Sequence, residues 1–191
     1  MQLSITREDL LKPLQQIIGA VERRQTMPAL SNLLLRGDSK GLSITATDLE
    51  VELVATLKTT LKDDGDTTIP ARKLLDICRS LPNQAILEIS SSSSGEKTKV
   101  SSGCSRFTLA ALPAEDFPVI DDLELDTSIE IAEDDLRGII EKTAFAMAQQ
   151  DVRYYLNGML MEVDSEQIKT AATDGHRLAL SKIQHKLDIE G

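Results

Sequence analysis

Two stretches of the chain bring together residues with chemical reach. One is Gln149-Gln150-Asp151-Val152-Arg153-Tyr154-Tyr155-Leu156-Asn157-Gly158, and the other is Ala172-Thr173-Asp174-Gly175-His176-Arg177-Leu178. Asp174, His176 and Arg177 set an acid, an imidazole and a guanidinium close together, which is raw material for general acid–base work. The same residues suit a recognition turn. Gly175 permits a tight turn with exposed backbone, and His176, Arg177 and Leu178 then combine donors with an apolar side chain. Aromatic residues are only 3% of the chain, and its two tyrosines, Tyr154 and Tyr155, are adjacent. On a strand they would point to opposite faces, one into a core and one outward. Arg23-Arg24 forms a local basic spot after a helix. It fits either solvent at a helix C-terminus or phosphate oxygens.

Other chemistry is missing from the sequence. There is no G-x-S-x-G, P-loop, G-x-G-x-x-G or H-E-x-x-H. His176 and His185 are the only histidines, and neither has a Cys or second His at metal spacing. Residues 115–135 hold ten acidic residues and no Lys or Arg. They form no EF-hand loop and read as a solvated linker. No catalytic residue, metal or cofactor is expected.

The elements that position these stretches repeat. Asp9-Leu10, Asn32-Leu33-Leu34-Leu35 and Ala46-Thr47-Asp48 return as Asp135-Leu136, Asn157-Gly158-Met159-Leu160 and Ala172-Thr173-Asp174, at offsets of 126, 125 and 126. A fainter repeat relates Leu3 to Leu10 with Thr67 to Leu74 and Ile129 to Leu136, each an alternating strand running into a helix. Three half-units follow, near 1–64, 65–128 and 129–191. Apolar spacing predicts a helix on Leu10, Leu14, Ile17 and Val21, with Pro13 in its first turn. A second carries Leu74, Leu75, Ile77, Cys78 and Leu81, ended by Pro82. A third carries Leu136, Ile139, Ile140, Thr143 and Met147, with Arg137 outward. Strands are predicted at 42–47, 53–57, 86–89 and 107–109, and Ser90 to Gly95 reads as a hairpin tip. The pattern is α+β, each half-unit packing one helix on antiparallel strands. Thr47-Asp48 and Thr173-Asp174 should close the same turn, while Asn32 and Asn157 should satisfy backbone groups.

The 191 residues carry 31 acidic and 21 basic side chains, net −10, with 41% hydrophobic residues. This is globular composition. No apolar run spans a membrane and the N-terminus lacks a signal-peptide core. Two cysteines are too few for a disulfide scaffold, so a reduced, cytoplasmic setting is expected. Bulk charge argues against gripping nucleic acid electrostatically.

The sequence resembles the bacterial sliding clamp family, the β subunit of DNA polymerase III. Leu10 to Gln16, Thr47-Asp48-Leu49-Glu50, Pro70-Ala71-Arg72-Lys73, Gln150 to Leu160 and Ala172 to Ala179 carry the resemblance. It implies a DNA-clamp fold of repeated β-α-β-β-β half-units, in a ring of two head-to-tail protomers with helices lining the hole. On it, 1–120 is a first clamp domain, 121–128 an acidic linker and 129–191 the first half of a second domain, with a third domain missing. Arg24 and Gln150 match DNA-touching positions, and Tyr154 and Tyr155 lie beside them. Lys12, Arg72, Lys73, Arg79, Arg137 and Lys142 are inner-face candidates. Tyr155, Thr173, Gly175, His176, Arg177 and Leu178 match one wall of a pocket for short peptide motifs of the replicative polymerase, clamp loader and repair proteins. Arg106, Phe107 and Leu109 match a ring interface.

The implied role is a processivity factor, a homodimer in full-length form that encircles double-stranded DNA and slides. A slider needs weak, movable phosphate contacts, so the acidic charge is compatible with enclosing DNA. Two alternatives stand beside it: a non-DNA peptide-binding adaptor on the same scaffold, and an enzyme using Asp174, His176 and Arg177.

Overall fold

The computed structural model describes residues 1–21, 27–59, 61–92, 95–120 and 128–185. The chain divides into two compact units, Met1–Asp122 and Leu123–Gly191.

In the first unit, β1 (Gln2–Thr6) runs into α1 (Arg7–Ile17). Thr6 caps the helix, its Oγ1 accepting from the Asp9 amide at 3.2 Å, a contact worth about 1 kcal/mol. The helix therefore starts earlier than the apolar spacing alone suggests, and Pro13 lies in its interior rather than its first turn. It is buried there and cannot donate to the carbonyl four residues back. The strands β2 (Asn32–Asp38), β3 (Gly41–Thr47) and β4 (Glu52–Leu57) follow. A second half repeats the plan: β5 (Leu61–Asp63), β6 (Gly65–Pro70), α2 (Ala71–Ser80), β7 (Ile86–Ser91), β8 (Lys97–Ser102) and β9 (Ser105–Ala110).

Each half lends its first long strand to the other. The sheet orders are β5-β1-β7-β8-β9 and β4-β3-β2-β6, all antiparallel. So β1 pairs with β7 of the second half, and β6 pairs with β2 of the first. One core results, joining Leu3 and Ile5, Leu33 and Leu35, Ile69, Leu74 and Ile89 between the helices and both sheets. Cys78 lies in it, and burial pushes its thiol up to about 11, so it packs as a protonated apolar group.

Residues 112–120 are not a solvated tether. The Leu112 amide donates to Thr68 Oγ1 at 2.7 Å, and the Ile120 amide donates to Glu52 Oε2 at 2.9 Å. Thr68 is on β6 and Glu52 on β4, the two outer strands of one sheet. The segment thus crosses the sheet face opposite the core, and Phe117 is buried. Residues 121–127, most of the expected linker, lie outside the described residues.

The second unit has one half of this plan: α3 (Glu133–Ala144), β10 (Leu160–Val163), β11 (Gln167–Thr173) and β12 (Leu178–Gln184) in a three-stranded antiparallel sheet. The expected strand at Ile129-Glu130-Ile131 does not form. A strand needs a ladder partner. The β1 strand takes one from the opposite half, and the second unit offers no such half among the described residues. The ladders also correct the repeat. Leu34 faces Thr45 and Leu160 faces Ala171, so Leu34 corresponds to Leu160 and the offset is 126 throughout. Asn157 therefore falls one residue before the counterpart of Asn32.

Candidate peptide-binding groove and basic helix face

The groove in the second unit starts from a turn. Thr173 Oγ1 donates to the Arg177 carbonyl at 2.7 Å and accepts from the Gly175 amide at 3.1 Å. Asp174 Oδ1 accepts from the His176 and Arg177 amides, each at 2.9 Å, and Oδ2 accepts from Arg177 Nε at 3.0 Å. The backbone donors hold the Asp174 carboxyl below its ordinary range. Gly175 has φ +89°, where a side chain is disfavoured. The first unit builds the same turn. Thr47 Oγ1 donates to the Val51 carbonyl and accepts from Leu49, while Asp48 Oδ1 accepts from the Glu50 and Val51 amides. Leu49 takes the strained place at φ +76°. The predicted equivalence of the two Thr-Asp pairs holds for these four bonds, and Arg177 Nε adds one that Val51 cannot make.

The opposing wall is residues 151–157. Arg153 Nε and Nη2 donate to the two carboxylate oxygens of Asp151 at 3.0 and 2.8 Å. That side-chain pairing, helped by the Arg153 amide, pulls the Asp151 carboxyl down to about 2. Asn157 clasps the same residue, accepting from the Asp151 amide at 2.9 Å and donating to its carbonyl at 3.0 Å. The expectation for Asn157 is met. Asn32 differs, donating to the Thr68 hydroxyl at 3.1 Å rather than to backbone.

The clasp winds Tyr154–Asn157 into a 3-10 turn. The tyrosines therefore do not straddle a strand. Both are exposed, edge to face, with ring centroids 6.0 Å apart.

A groove of about 310 Å³ lies against Tyr155, Leu156, Gly158, Leu160, Ala171, Ala172, Thr173 and Leu178. Its lining is mostly aliphatic. A second, more polar hollow of about 570 Å³ is lined by Phe145, Gln149, Gln150, Asp151, Arg153, Asp174, His176 and Arg177, among others. The turn at 173–178 borders both. The Arg177 guanidinium stands 5.6 Å from the Phe145 ring centre, a cation–π contact. Of the expected pocket residues, Tyr155, Thr173 and Leu178 line the aliphatic groove, and His176 and Arg177 line the polar hollow. Gly175 shapes the turn between. The sequence reading gave no pocket role to Asp151, Arg153, Phe145 or Leu160. An Asp-x-Arg spacing and the chain's few phenylalanines were the available signals.

The groove is open because no described residue covers this sheet face. Leu34, under the segment 112–120, is 0% exposed, and Leu160, its counterpart, is 66% exposed.

The expected DNA-facing residues separate into groups. Arg24 lies outside the described residues. Gln150 is exposed with φ +56° and borders the polar hollow. Arg72, Lys73 and Arg79 are exposed on α2 and make no ion pair with the described residues. Arg137 is paired with Glu133 on α3, whose first turn also holds Asp134 and Asp135. Its charge is not free, because the helix N-terminus draws acids that then attract it.

Arg106, Phe107 and Leu109 lie on β9, an edge strand that among the described residues pairs with β8 alone. Phe107 and Leu109 are half-buried against the core, which leaves Arg106 and the open backbone edge facing outward. Among the described residues no cluster of His, Cys, Asp or Glu could hold a metal ion, and no helix is long and apolar enough to cross a membrane.

Half-units of one helix and antiparallel strands, exchanged pairwise between two sheets, are the architecture of the DNA clamps. A crystal structure of the DNA polymerase III β subunit from Pseudomonas aeruginosa superposes with a TM-score of 0.93 at 49% identity, covering 100% of this chain and 52% of that one. One from Caulobacter crescentus superposes at 0.91 with 39% identity, covering 97% and 52%.

Residues 1–121 match the DNA polymerase III beta subunit N-terminal domain, and residues 130–190 match its central domain. The chain belongs to that family, the bacterial β sliding clamps. Similar relatives are the β sliding clamps of Pseudomonas aeruginosa, 51% identical over 98% of this chain and 51% of theirs, and Escherichia coli, 50% identical over 94% and 49%. The chain spans about half the length of the curated relatives it matches.

Proposed function

We propose that this chain acts as part of a ring-shaped processivity clamp that encircles duplex DNA, slides along it and tethers the replicative polymerase. The observation that carries the reading is the match of both units to successive domains of the β clamp family. In this reading, 1–120 is the first clamp domain, 121–128 a linker and 129–191 the first half of the second. It works in the cytoplasm and catalyses no reaction.

Enclosure replaces grip. Arg72, Lys73 and Arg79, exposed on one helix and without an ion pair among the described residues, suit weak contacts with passing phosphates, because long cationic side chains exchange partners at little cost. Gln150, Tyr154 and Tyr155 add polar and aromatic contact, and Arg24 is assigned with them. The negative remainder of the surface repels DNA from other approaches.

The aliphatic groove takes the apolar residues of partner peptides, with Tyr155, Thr173 and Leu178 as its wall. His176 and Arg177 supply donors beside it, and Gly175 lets the turn carry them. A related Pseudomonas aeruginosa clamp has been solved bound to griselimycin, which supports a binding site on this scaffold. The β9 edge, with Arg106, Phe107 and Leu109, is assigned to the ring interface of the homodimer.

A clamp containing these 191 residues, loaded on nicked circular DNA, should stay on the circle and be lost when the circle is cut. Retention on the linear form would rule out topological binding. Arg177→Ala with Leu178→Ala should weaken peptide binding at least tenfold without unfolding the chain. Unchanged affinity would remove the groove assignment.

A further inference from the structure

The peptide groove of the second unit has a twin inside the first. At the 126-residue offset its lining residues Tyr155, Leu156, Leu160 and Ala171 fall on Ala29, Leu30, Leu34 and Thr45. All four counterparts are buried. Yet Ala29, Leu30 and Leu34 do not belong to the core between the helices and the sheets. Leu33 and Leu35 do, so Leu34 points to the opposite face of β2. One row crosses that face. Thr68, Leu34, Thr45 and Val54 are successive ladder partners on β6, β2, β3 and β4.

The cover of this face is the segment Leu112-Pro113-Ala114-Glu115-Asp116-Phe117-Pro118-Val119-Ile120. The sheet holds it by side chains at its two ends. Thr68 Oγ1 accepts from the Leu112 amide at 2.7 Å and donates to the Leu112 carbonyl at 2.8 Å. The exposed Glu52 accepts from the Ile120 amide at 2.9 Å. The middle turns on itself, the Asp116 and Phe117 amides donating to the Pro113 and Ala114 carbonyls. Phe117 is buried there, and it too lies outside the main core.

We propose that this face is a second peptide groove, and that residues 112–120 are its resident ligand, a strap that a partner peptide of the same chemistry replaces. That chemistry is an extended segment with one aromatic anchor flanked by proline and small or aliphatic residues. The strap is built as a ligand is. Its ends are clasped, its centre satisfies its own backbone, and the core of the unit forms without it. Release exposes Phe117 and Leu34 to water, which favours the closed state. Tethering also holds the strap at an effective concentration on the order of a millimolar, so a free peptide enters when the strap is weakened or when it fits better. The class of ligand rests on the peptide reading of the second-unit groove, whereas the strap and its anchors do not.

The probe is a fluorescent peptide copying residues 111–120, followed by anisotropy on the 191-residue chain. Every chain tested carries Arg177→Ala with Leu178→Ala, which takes the second-unit groove out of the measurement, so its success or failure is read separately. With the strap intact, binding should be weak. Phe117→Ala deprives the strap of its anchor and should raise affinity for the probe at least tenfold. A probe whose own phenylalanine is replaced by alanine should lose that gain. Bound probe should shift the NMR methyl resonances of Leu30, Leu34 and Val54. The unaltered chain gives a check free of substitutions. Hydrogen exchange at Leu112 and Phe117 should proceed through an opening that leaves β1 and β7 protected. No gain with Phe117→Ala, a gain that survives loss of the probe's phenylalanine, shifts away from this face, or exchange of Leu112 and Phe117 only together with the core strands would each overturn the proposal.

Discussion

Residues 32–57 and 158–184 fold on one plan, with matching ladders and matching Thr-Asp turns, but they meet their surroundings differently. In the first unit the outer sheet face lies under residues 112–120, while in the second the same face is an open, mostly aliphatic groove. Hydrogen-bonding side chains that close turns recur in both units, whereas the residues around them change with what must be met. Glu50 and Val51 become His176 and Arg177, and Glu52, which anchors the Ile120 amide, becomes Leu178. The repeat separates scaffold from recognition surface within a single chain.

The sharpest way to break the comparison is to shave the same ladder position in each unit. Leu34→Ala removes a fully buried side chain and should cost about 2–5 kcal/mol in urea unfolding. Leu160→Ala removes an exposed one and should cost under about 0.5 kcal/mol, while weakening peptide binding. Equal costs would mean that the second groove is covered in solution.

A smaller effect tests the cover. Thr68 Oγ1 accepts from the Leu112 amide and from Asn32, and donates to the Leu112 carbonyl at 2.8 Å. Thr68→Val keeps the shape and strands those partners, at a cost of about 1–3 kcal/mol. Hydrogen exchange should speed at Leu112 and at the residues following it. Its counterpart in the second unit, Glu130, makes no side-chain hydrogen bond among the described residues.

The turns give a smaller pair of opposite signs. Leu49 and Gly175 share a left-handed conformation that costs a side-chain-bearing residue roughly 1–2 kcal/mol. Gly175→Ala should destabilise the second unit by about 1 kcal/mol. Its new Cβ would sit 3.4 Å from Arg153 Nη1, an ordinary contact, so the cost comes from the backbone. Leu49→Gly should leave the first unit unchanged or slightly more stable by thermal melting. A loss there would show that Leu49 packs on something that its exposure does not suggest.

What the sequence made legible follows from range. The Thr-Asp turns, the helix faces and most strands are local patterns, and Leu74, Leu75, Ile77 and Cys78 are buried as their spacing requires. The misreadings come from partners far away in the chain. Ile129-Glu130-Ile131 has strand composition but finds no edge to join among the described residues. Phe117, set among acids, is buried because a sheet face lies beneath it. Pro13 looked like a first-turn proline because the cap, Thr6, lies outside the apolar run. The tyrosine pair was misplaced because Asn157 bonds Asp151 across the loop instead of opening a strand. Arg137 was an inner-face candidate, and the helix start at Glu133 places an acid one turn away from it.

The last test concerns the wall built on Asp151 and Arg153, at whose counterpart positions the first unit has the uncharged Gln25 and Met27. Asp151 is held ionised by Arg153, with its carboxyl drawn down to about 2 from an ordinary value near 3.8. A carboxyl lowered on folding favours the folded arrangement above its ordinary value, and that support fades as pH falls towards the folded one. Between about pH 4 and pH 2 the 151–157 loop should therefore loosen while the first unit, with Gln25 at the position of Asp151, keeps its exchange protection. The reporters are Tyr154 and Tyr155, whose edge-to-face contact should give way over this range in tyrosine ring resonances followed by NMR. Asp151→Asn keeps the backbone bonds to Asn157 but loses the charge pair with Arg153. It should show the loosened tyrosine signals already at neutral pH and flatten the acid transition. A variant that keeps the transition would assign it to another carboxylate, and Asp174, also lowered and only a turn away from the same groove, would be the one to substitute next.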